Sequence, residues 1–273
     1  MLTAVDVVNA IGSTLQLSIL NPANGYIVRE ITGLDPVNAT LTSSSLAQVD
    51  GAQPQNARRD IRNIVIKLGL EPDYAASSVA DLRSGLYDYL MPKENVTLGF
   101  YIDDALTYEI TGQIETFENA MFSADPEVDI SIVCYDPDFY SVSETVVAVD
   151  TVDGTVETPI VYQGTSDAGL IFTVTLDANL PEGFSLYNTP PANAYQGMVI
   201  ETPLLSGDII TVNTIPGQKS ITRTRGAVET SLLYALQTGA VWLFFHRGTN
   251  YFRAYAEEEM ACAITYTAKY GGI

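Results

Sequence analysis

Apolar and polar side chains alternate along most of this chain, at the spacing of half-buried strands. Cys262, Ile264, Tyr266, Ala268 and Tyr270 fall on one face of such a run, while Thr265, Thr267 and Lys269 fall on the other. Leu106, Tyr108, Ile110 and Ile114 repeat the pattern, as do Ile130, Ile132 and Cys134. Turn pairs punctuate the runs: Asn24-Gly25, Asp153-Gly154, Glu182-Gly183, Ser206-Gly207 and Pro216-Gly217. Short strands at this spacing predict sandwiches or barrels, not a doubly wound sheet.

One segment has helical period instead. Ser78 is placed to cap a helix, with Asp81 three residues on, where a carboxylate suits the N-terminus. Val79, Leu82, Leu86 and Leu90 then share one face, Arg83, Tyr87 and Asp88 lie on another, and Pro92 stops the run. A further helical turn is expected over residues 231–236. The strand-like DISIVCY ends at Asp136-Pro137, and residues 140–159 read as a connector and a hairpin turning at Asp153-Gly154. The expected fold is therefore mainly β. Residues 1–145 form a sandwich or barrel-like domain with one α-helix, and residues 146–273 form a second β-sandwich. No internal repeat or low-complexity tract breaks this plan.

Composition agrees with that class. The 273 residues are 47% hydrophobic and include 16 tyrosines, which favour pleated surfaces. Charge adds a constraint: 13 Lys and Arg against 33 Asp and Glu leave a net charge of -20, which repels phosphate backbones and anionic membranes. The local basic group Arg58, Arg59, Arg62 and Lys67 is small, and is expected to pair with carboxylates inside the protein or across an interface. Cys134 and Cys262 sit in alternating runs and read as small buried hydrophobes. The opening MLTAVDVVNAIGS has no basic residue and is not expected to be a signal peptide. No stretch reaches the roughly twenty apolar residues of a membrane helix.

Catalytic and metal-binding patterns are sparse. The one histidine, His246 in WLFFHRG, excludes multi-histidine metal sites and is expected to be a strand or turn residue. Residues 164–169 lack the spacing of a nucleophile elbow, and Gln218 separates Gly217 from Lys219, unlike a phosphate loop. Asp150 and Asp153 lack the spacing of a calcium loop, and Glu257-Glu258-Glu259 reads as a solvated face. The single Trp242 leaves little aromatic platform for a sugar. The expectation is a structural protein with no catalytic residue, cofactor or metal.

Several stretches, taken in order, resemble the distal tail protein (Dit) family of long, flexible-tailed bacteriophages. Ile31-Thr32-Gly33-Leu34-Asp35-Pro36 is similar to the family's opening strand and turn. Asp50-Gly51-Ala52, Arg62-Asn63-Ile64-Val65-Ile66 and Leu68-Gly69-Leu70 follow its next pattern. The helix carrying Arg83, Leu86 and Tyr87 before Pro92-Lys93 comes next, then Gly112, Glu115, Phe122-Ser123 and residues 130–134. Asp136-Pro137-Asp138-Phe139-Tyr140 resembles the end of the family's first domain, with acidic Asp138 a departure from the usual aromatic residue. Tyr162-Gln163-Gly164, Ile171-Phe172, Gly207-Asp208 and residues 211–214 resemble its galectin-like second domain.

This resemblance implies a hexameric ring at the virion's tail tip, made in the host cytoplasm. Its first domain would surround a channel, and its second would hold receptor-binding or baseplate parts. The ring would join the tail tube protein to the tail hub protein, and DNA would slide through an acidic lumen without specific binding. Arg and Tyr are enriched at interfaces, so the helix face of Arg83, Tyr87 and Asp88 and the turn of Tyr101, Asp103 and Asp104 are the expected subunit contacts. The rival class is a carbohydrate-binding adhesin of two sandwiches. A tail-tube subunit and a capsid or pilus subunit are further structural alternatives.

Overall fold

The protein is described by a computed structural model covering residues 1–19, 24–45, 50–119, 125–151, 156–191 and 195–273. The chain divides into two compact units, Met1–Val142 with Tyr270–Ile273, and Ser143–Lys269. The sequence carries no local signal for the return of the last residues to the first unit.

The first unit is built from β1 (Leu2–Asn9), β2 (Thr14–Ser18), β3 (Tyr26–Thr32), β4 (Ala39–Ser44), β5 (Gln53–Arg59), β6 (Arg62–Leu70), α1 (Val79–Tyr87), β7 (Asn95–Ile102), β8 (Ala105–Asn119), β9 (Glu127–Cys134) and the start of β10 (Phe139–Asp150). All pairings are antiparallel. One path runs β10-β8-β7-β1-β2, and another runs β8-β9-β6-β3. Strand β8 belongs to both. Its residues 105–113 pair with β7, and its residues 113–119 pair with β9, with a bulge between Ile114 and Thr116. A bulge bends a strand and raises its twist, so one long strand turns a corner and folds the sheet around its own apolar face. That face is continuous: Val5, Val7, Ile64, Ile66, Leu68, Leu98, Phe100, Ile110, Ile130 and Ile132 are all buried in one core.

Helix α1 closes an end of this core. Ser78 and Asp81 form the expected capping box, and Leu86 is fully buried. The regular helix ends at Tyr87, earlier than the apolar spacing suggests. Leu90 still reaches the core, because its amide continues to bond the Leu86 carbonyl at 2.8 Å through the final turn. The Tyr26 hydroxyl donates to the Leu82 carbonyl at 2.9 Å and fixes the helix to β3.

The centre of the unit's polar organisation is Arg62, 1% exposed and first among its fully buried side chains by volume. Its Nε donates to the Pro137 carbonyl at 2.7 Å, one terminal nitrogen to the carbonyls of Gly33 and Asp35, and the other to the Gly271 carbonyl at 2.6 Å. The guanidinium lies 4.4 Å from the centre of the Phe139 ring, which meets Phe100 edge-on. Three chain segments converge on one side chain. The basic group is thus only partly what the sequence suggests: Arg59 pairs with Asp138 and Lys67 with Asp129, but Arg62 is held by carbonyl dipoles. A planar fork of donors suits scattered carbonyls as well as a carboxylate. Desolvation lowers the Arg62 pKa from its usual value, and the nearby Cys134 and Asp138 act against that.

Gly33 sits at φ +86°, and a Cβ there would fall 2.0 Å from the Asn63 carbonyl oxygen, so no other residue can offer its carbonyl to Arg62 from this turn. Asp138 is buried, and its two oxygens take both terminal nitrogens of Arg59 at 2.5 and 2.8 Å. The buried Asp138 charge is met by the Arg59 guanidinium.

The second unit contains residues 143–150 of β10, then β11 (Thr158–Tyr162), β12 (Ile171–Thr175), β13 (Phe184–Thr189), β14 (Gln196–Ile200), β15 (Ile209–Asn213), β16 (Ser220–Arg225), β17 (Val228–Ser231), a 3-10 turn (Leu233–Ala235), β18 (Gly248–Tyr255) and β19 (Ala261–Tyr270). One sheet orders β17-β16-β15-β12-β19-β10, and the other orders β11-β18-β13-β14. Phe172 of the first stacks between Phe184 and Phe252 of the second, with centroids 5.9 and 6.3 Å away. This is a β-sandwich with an aromatic centre. The segment expected to be a connector is instead the long strand β10. The turn glycines Gly25, Gly183, Gly207 and Gly217 all have positive φ, while Asp153-Gly154 and Phe122-Ser123 lie outside the described residues.

The turn at Gly207 is locked by Asp208, whose carboxylate takes Nε and a terminal nitrogen of Arg225 at 2.6 and 2.7 Å and the Leu205 amide at 3.0 Å. Hydrogen bonding from Arg225, then from the Leu205 amide, holds its pKa below the usual 3.8 against the effect of burial.

Two outcomes follow for stability. Arg62→Ala leaves buried carbonyls without donors and should cost about 3 kcal/mol or more in urea unfolding, and Arg62→Lys should recover only part of that. An Arg62→Lys protein as stable as the parent would show that the fork geometry is unimportant. Asp208 titrates lower folded than unfolded, so its contribution is complete above the unfolded pKa and is lost as pH falls through the folded one. Unfolding midpoints of Asp208→Asn should therefore fall less steeply than the parent's below about pH 4. Parallel acid limbs would remove Asp208 from that role.

Candidate assembly surfaces

The residues expected at subunit contacts occupy two places. On α1, Tyr87 is 38% exposed and meets Phe117 edge-on at 5.2 Å. Asp88 is exposed at the helix C-terminus, where a negative charge opposes the helix dipole, and no basic residue lies in the last turn. Arg83 is half-buried, and its Nε is enclosed without a hydrogen-bond partner among the described residues.

Tyr101, Asp103 and Asp104 lie at the β7–β8 hairpin. Ile102 pairs with Ala105, leaving Asp103 and Asp104 as a two-residue loop with φ of 49° and 65°. That is the left-handed geometry of a type I′ turn, which short acidic side chains tolerate. The loop is held to β1: the Asp103 amide donates to the Met1 carbonyl at 2.9 Å and the Asp104 amide to Thr3 Oγ1 at 3.2 Å. The Tyr101 hydroxyl donates to Asp6 Oδ2 at 2.9 Å, and this bond to a carboxylate pushes its pKa up. Asp6 Oδ1 is enclosed without a partner among the described residues.

These two sets do not form one patch. Ile102 pairs with Leu2 at one end of β1, whereas Asn9 at the other end donates from Nδ2 to the Asp88 carbonyl at 2.9 Å. Seven residues of extended strand separate them by about 24 Å.

The most exposed element escaped the sequence reading. Strands β4 and β5 pair only with each other, and none of their residues is buried. The ribbon is rooted by Thr40 to Asp60, a 2.8 Å side-chain bond, and by Arg59 to Asp138. Leu41 is 74% exposed on it. A two-stranded ribbon without a core face is marginal in water. Its sequence, ATLTSS and QPQNARR, offers strand-forming Thr without an apolar alternation, so hydrophobic periodicity passes over it.

The potential chemical groups are engaged elsewhere. His246 Nδ1 lies 2.8 Å from Asp167 Oδ1, and Nε2 lies 3.3 Å from Gln196 Nε2, an arrangement satisfied by a proton on Nδ1. Gln196 Oε1 in turn accepts from the Phe244 amide at 2.8 Å and Asn188 Nδ2 at 3.3 Å. Both ring nitrogens are thus occupied, and neither meets a nucleophile, so the dyad orders a loop. Burial pushes the Cys134 thiol up to about 11 and the Cys262 thiol up to about 12, which keeps both un-ionised. No three His, Cys, Asp or Glu side chains among the described residues could share a metal ion, and no described helix is long and apolar enough to cross a membrane.

The fold is similar to that of known phage proteins. The crystal structure of the Dit protein of phage SPP1, described as a paradigm of the hub adsorption apparatus in phages infecting Gram-positive hosts, matches with a TM-score of 0.70 and 15% identity, covering 97% of this chain and 98% of that one. Structures of the phage P2 baseplate in its activated conformation match more loosely. The form with Ca has a TM-score of 0.49 over 100% of both chains, and the form with Sr 0.47 over 99% of both, each at 10% identity. No protein-family model matches the sequence, and no curated protein matches it. The chain has the two-unit β fold of a Dit protein from end to end.

Proposed function

We propose that this chain is a structural component of a phage tail tip, forming a hexameric ring that joins the tail tube to the tail hub. The observation that carries this reading is the fold it shares over almost its whole length with the SPP1 Dit protein. In this reading the first unit makes the ring, and the second, a galectin-like sandwich, holds receptor-binding or baseplate parts.

Three features of this chain support it. The ribbon of β4 and β5 has no core face of its own, as expected of an arm completed by a neighbour. The patches of Arg83, Tyr87 and Asp88 and of Tyr101, Asp103 and Asp104 lie at opposite ends of β1, as the two faces of a ring contact require. The net charge of -20 lets DNA pass a lumen without adhering.

Native mass spectrometry across a concentration series, with negative-stain imaging, tests the reading. Rings with an open centre are expected. Arg83→Ala with Tyr87→Ala, and separately replacement of residues 41–57 by a short Gly-Ser turn, should each raise the concentration for half-assembly about tenfold or more without altering the unfolding midpoint. Assembly unchanged in both variants removes these surfaces from the contact. A chain that stays monomeric at every concentration and binds host-wall polysaccharide instead overturns the ring in favour of an adhesin.

A further inference from the structure

We propose that residues 270–273 are a folding key: the first unit becomes a stable, ring-competent body only when this segment, which follows the whole second unit in the chain, is seated in it. Only the ring competence rests on the function proposed above; the dependence of the fold on the segment stands apart from it.

The two units differ in how they are drawn from the chain. The second is contiguous, Ser143–Lys269, whereas the first consists of Met1–Val142 and the distant Tyr270–Ile273. All four of these distant residues are held. The Tyr270 ring meets Tyr108 edge-on at 5.0 Å, and Tyr270 and Ile273 both pack against the core. The Gly271 carbonyl accepts from Arg62 at 2.6 Å, and the Ile273 amide donates to the Leu34 carbonyl at 3.1 Å. Gly272 passes so close to the turn after β3 that a Cβ there would fall 2.8 Å from Pro36 Cδ and 2.9 Å from Pro36 N. The seat fits this backbone and leaves no room for a side chain at 272.

Losing the segment strikes the unit at its costliest group. Arg62 is 1% exposed, and one of its terminal nitrogens has the Gly271 carbonyl as its acceptor among the described residues. Its other nitrogens are committed to the carbonyls of Gly33, Asp35 and Pro137. Without the segment, the unit either keeps an unpaired buried donor or opens to hydrate it, and both are expensive. A segment that merely rests on a surface frays at little cost. This one carries an acceptor for a buried cation.

The order of events follows from the spacing. Arg62 and Gly271 lie 209 residues apart, and closing an unstructured loop costs more the longer it is. The second unit supplies the intervening residues 143–269 and takes nothing from outside that range. In its sheet β19, which ends at Tyr270, lies next to β10, which begins at Phe139. Folding of the second unit therefore replaces a long open loop by two neighbouring strands and brings the segment to its seat. The dependence has a direction: the first unit needs the second to present the segment, and the second needs nothing from the segment.

Hydrogen–deuterium exchange on the full chain and three variants tests that direction. Removal of residues 271–273 should speed exchange in β3, β6 and β9 about tenfold or more, while β12, β13 and β18 exchange as in the parent. Gly272→Ala, whose methyl meets Pro36, should give the same pattern at smaller amplitude, and it becomes the deciding variant if the shortened chain does not fold. Phe172→Ala, in the core of the second unit, should speed exchange in both units. Parent-like protection of β3, β6 and β9 in the deciding variant, equal loss in both units there, or a first unit untouched by Phe172→Ala would each overturn the key. Native mass spectrometry reads the ring separately. Rings formed equally well by the parent and the shortened chain also reject the key, whereas a parent that forms no rings rejects only the ring.

Discussion

The first unit depends on a buried cation that has no carboxylate of its own. Taking a guanidinium out of water is expensive, and what offsets it here is a set of carbonyl dipoles, at Gly33, Asp35, Pro137 and Gly271, with the Phe139 ring beneath. These carbonyls lie in turns and in the chain's last residues, outside the strand ladders, so the cost is shared in both directions. The guanidinium needs acceptors, and the turns need donors. The consequence is geometric: the turn after β3, the loop after β9 and the last residues of the chain are all fixed against the first residue of β6.

Around that point the unit completes its core. Two enclosed polar atoms have no partner among the described residues: Asp6 Oδ1, in the carboxylate that holds Tyr101, and Arg83 Nε on α1. The ribbon of β4 and β5 leaves from the cage itself, because Arg59 at its base is clamped by Asp138, the residue before Phe139 of the Arg62 contact. In the proposed ring, a ribbon fixed at its root and exposed along its length is the arm that a neighbouring subunit would cover.

Much of this was legible in the sequence. The alternating runs at residues 106–114, 130–134 and 262–270 are strands, and the cap formed by Ser78 and Asp81 starts the helix. These are local features, and local periodicity reports them. Arg62 is the clear counterexample: beside Arg58, Arg59 and Lys67 it reads as one more paired surface base, because nothing local announces carbonyls from residue 271. The ribbon was missed for the opposite reason, since a strand that buries nothing has no apolar rhythm. The two sets of residues expected at subunit contacts can be picked out one by one, but their separation follows from strand register, which composition does not encode.

The central claim is that a unit organised by Arg62 carries a ribbon built to be completed by another chain. Hydrogen–deuterium exchange on the same protein, dilute and assembled, tests it most directly. In dilute solution, amides beside the Arg62 cage in β6 and β9 should exchange only through global unfolding, while those of β4 and β5 exchange fast. On assembly the ribbon should gain protection and the cage should stay as it was. A ribbon as protected as β6 in the dilute chain, or one that exchanges equally fast in the assembled state, would contradict the account.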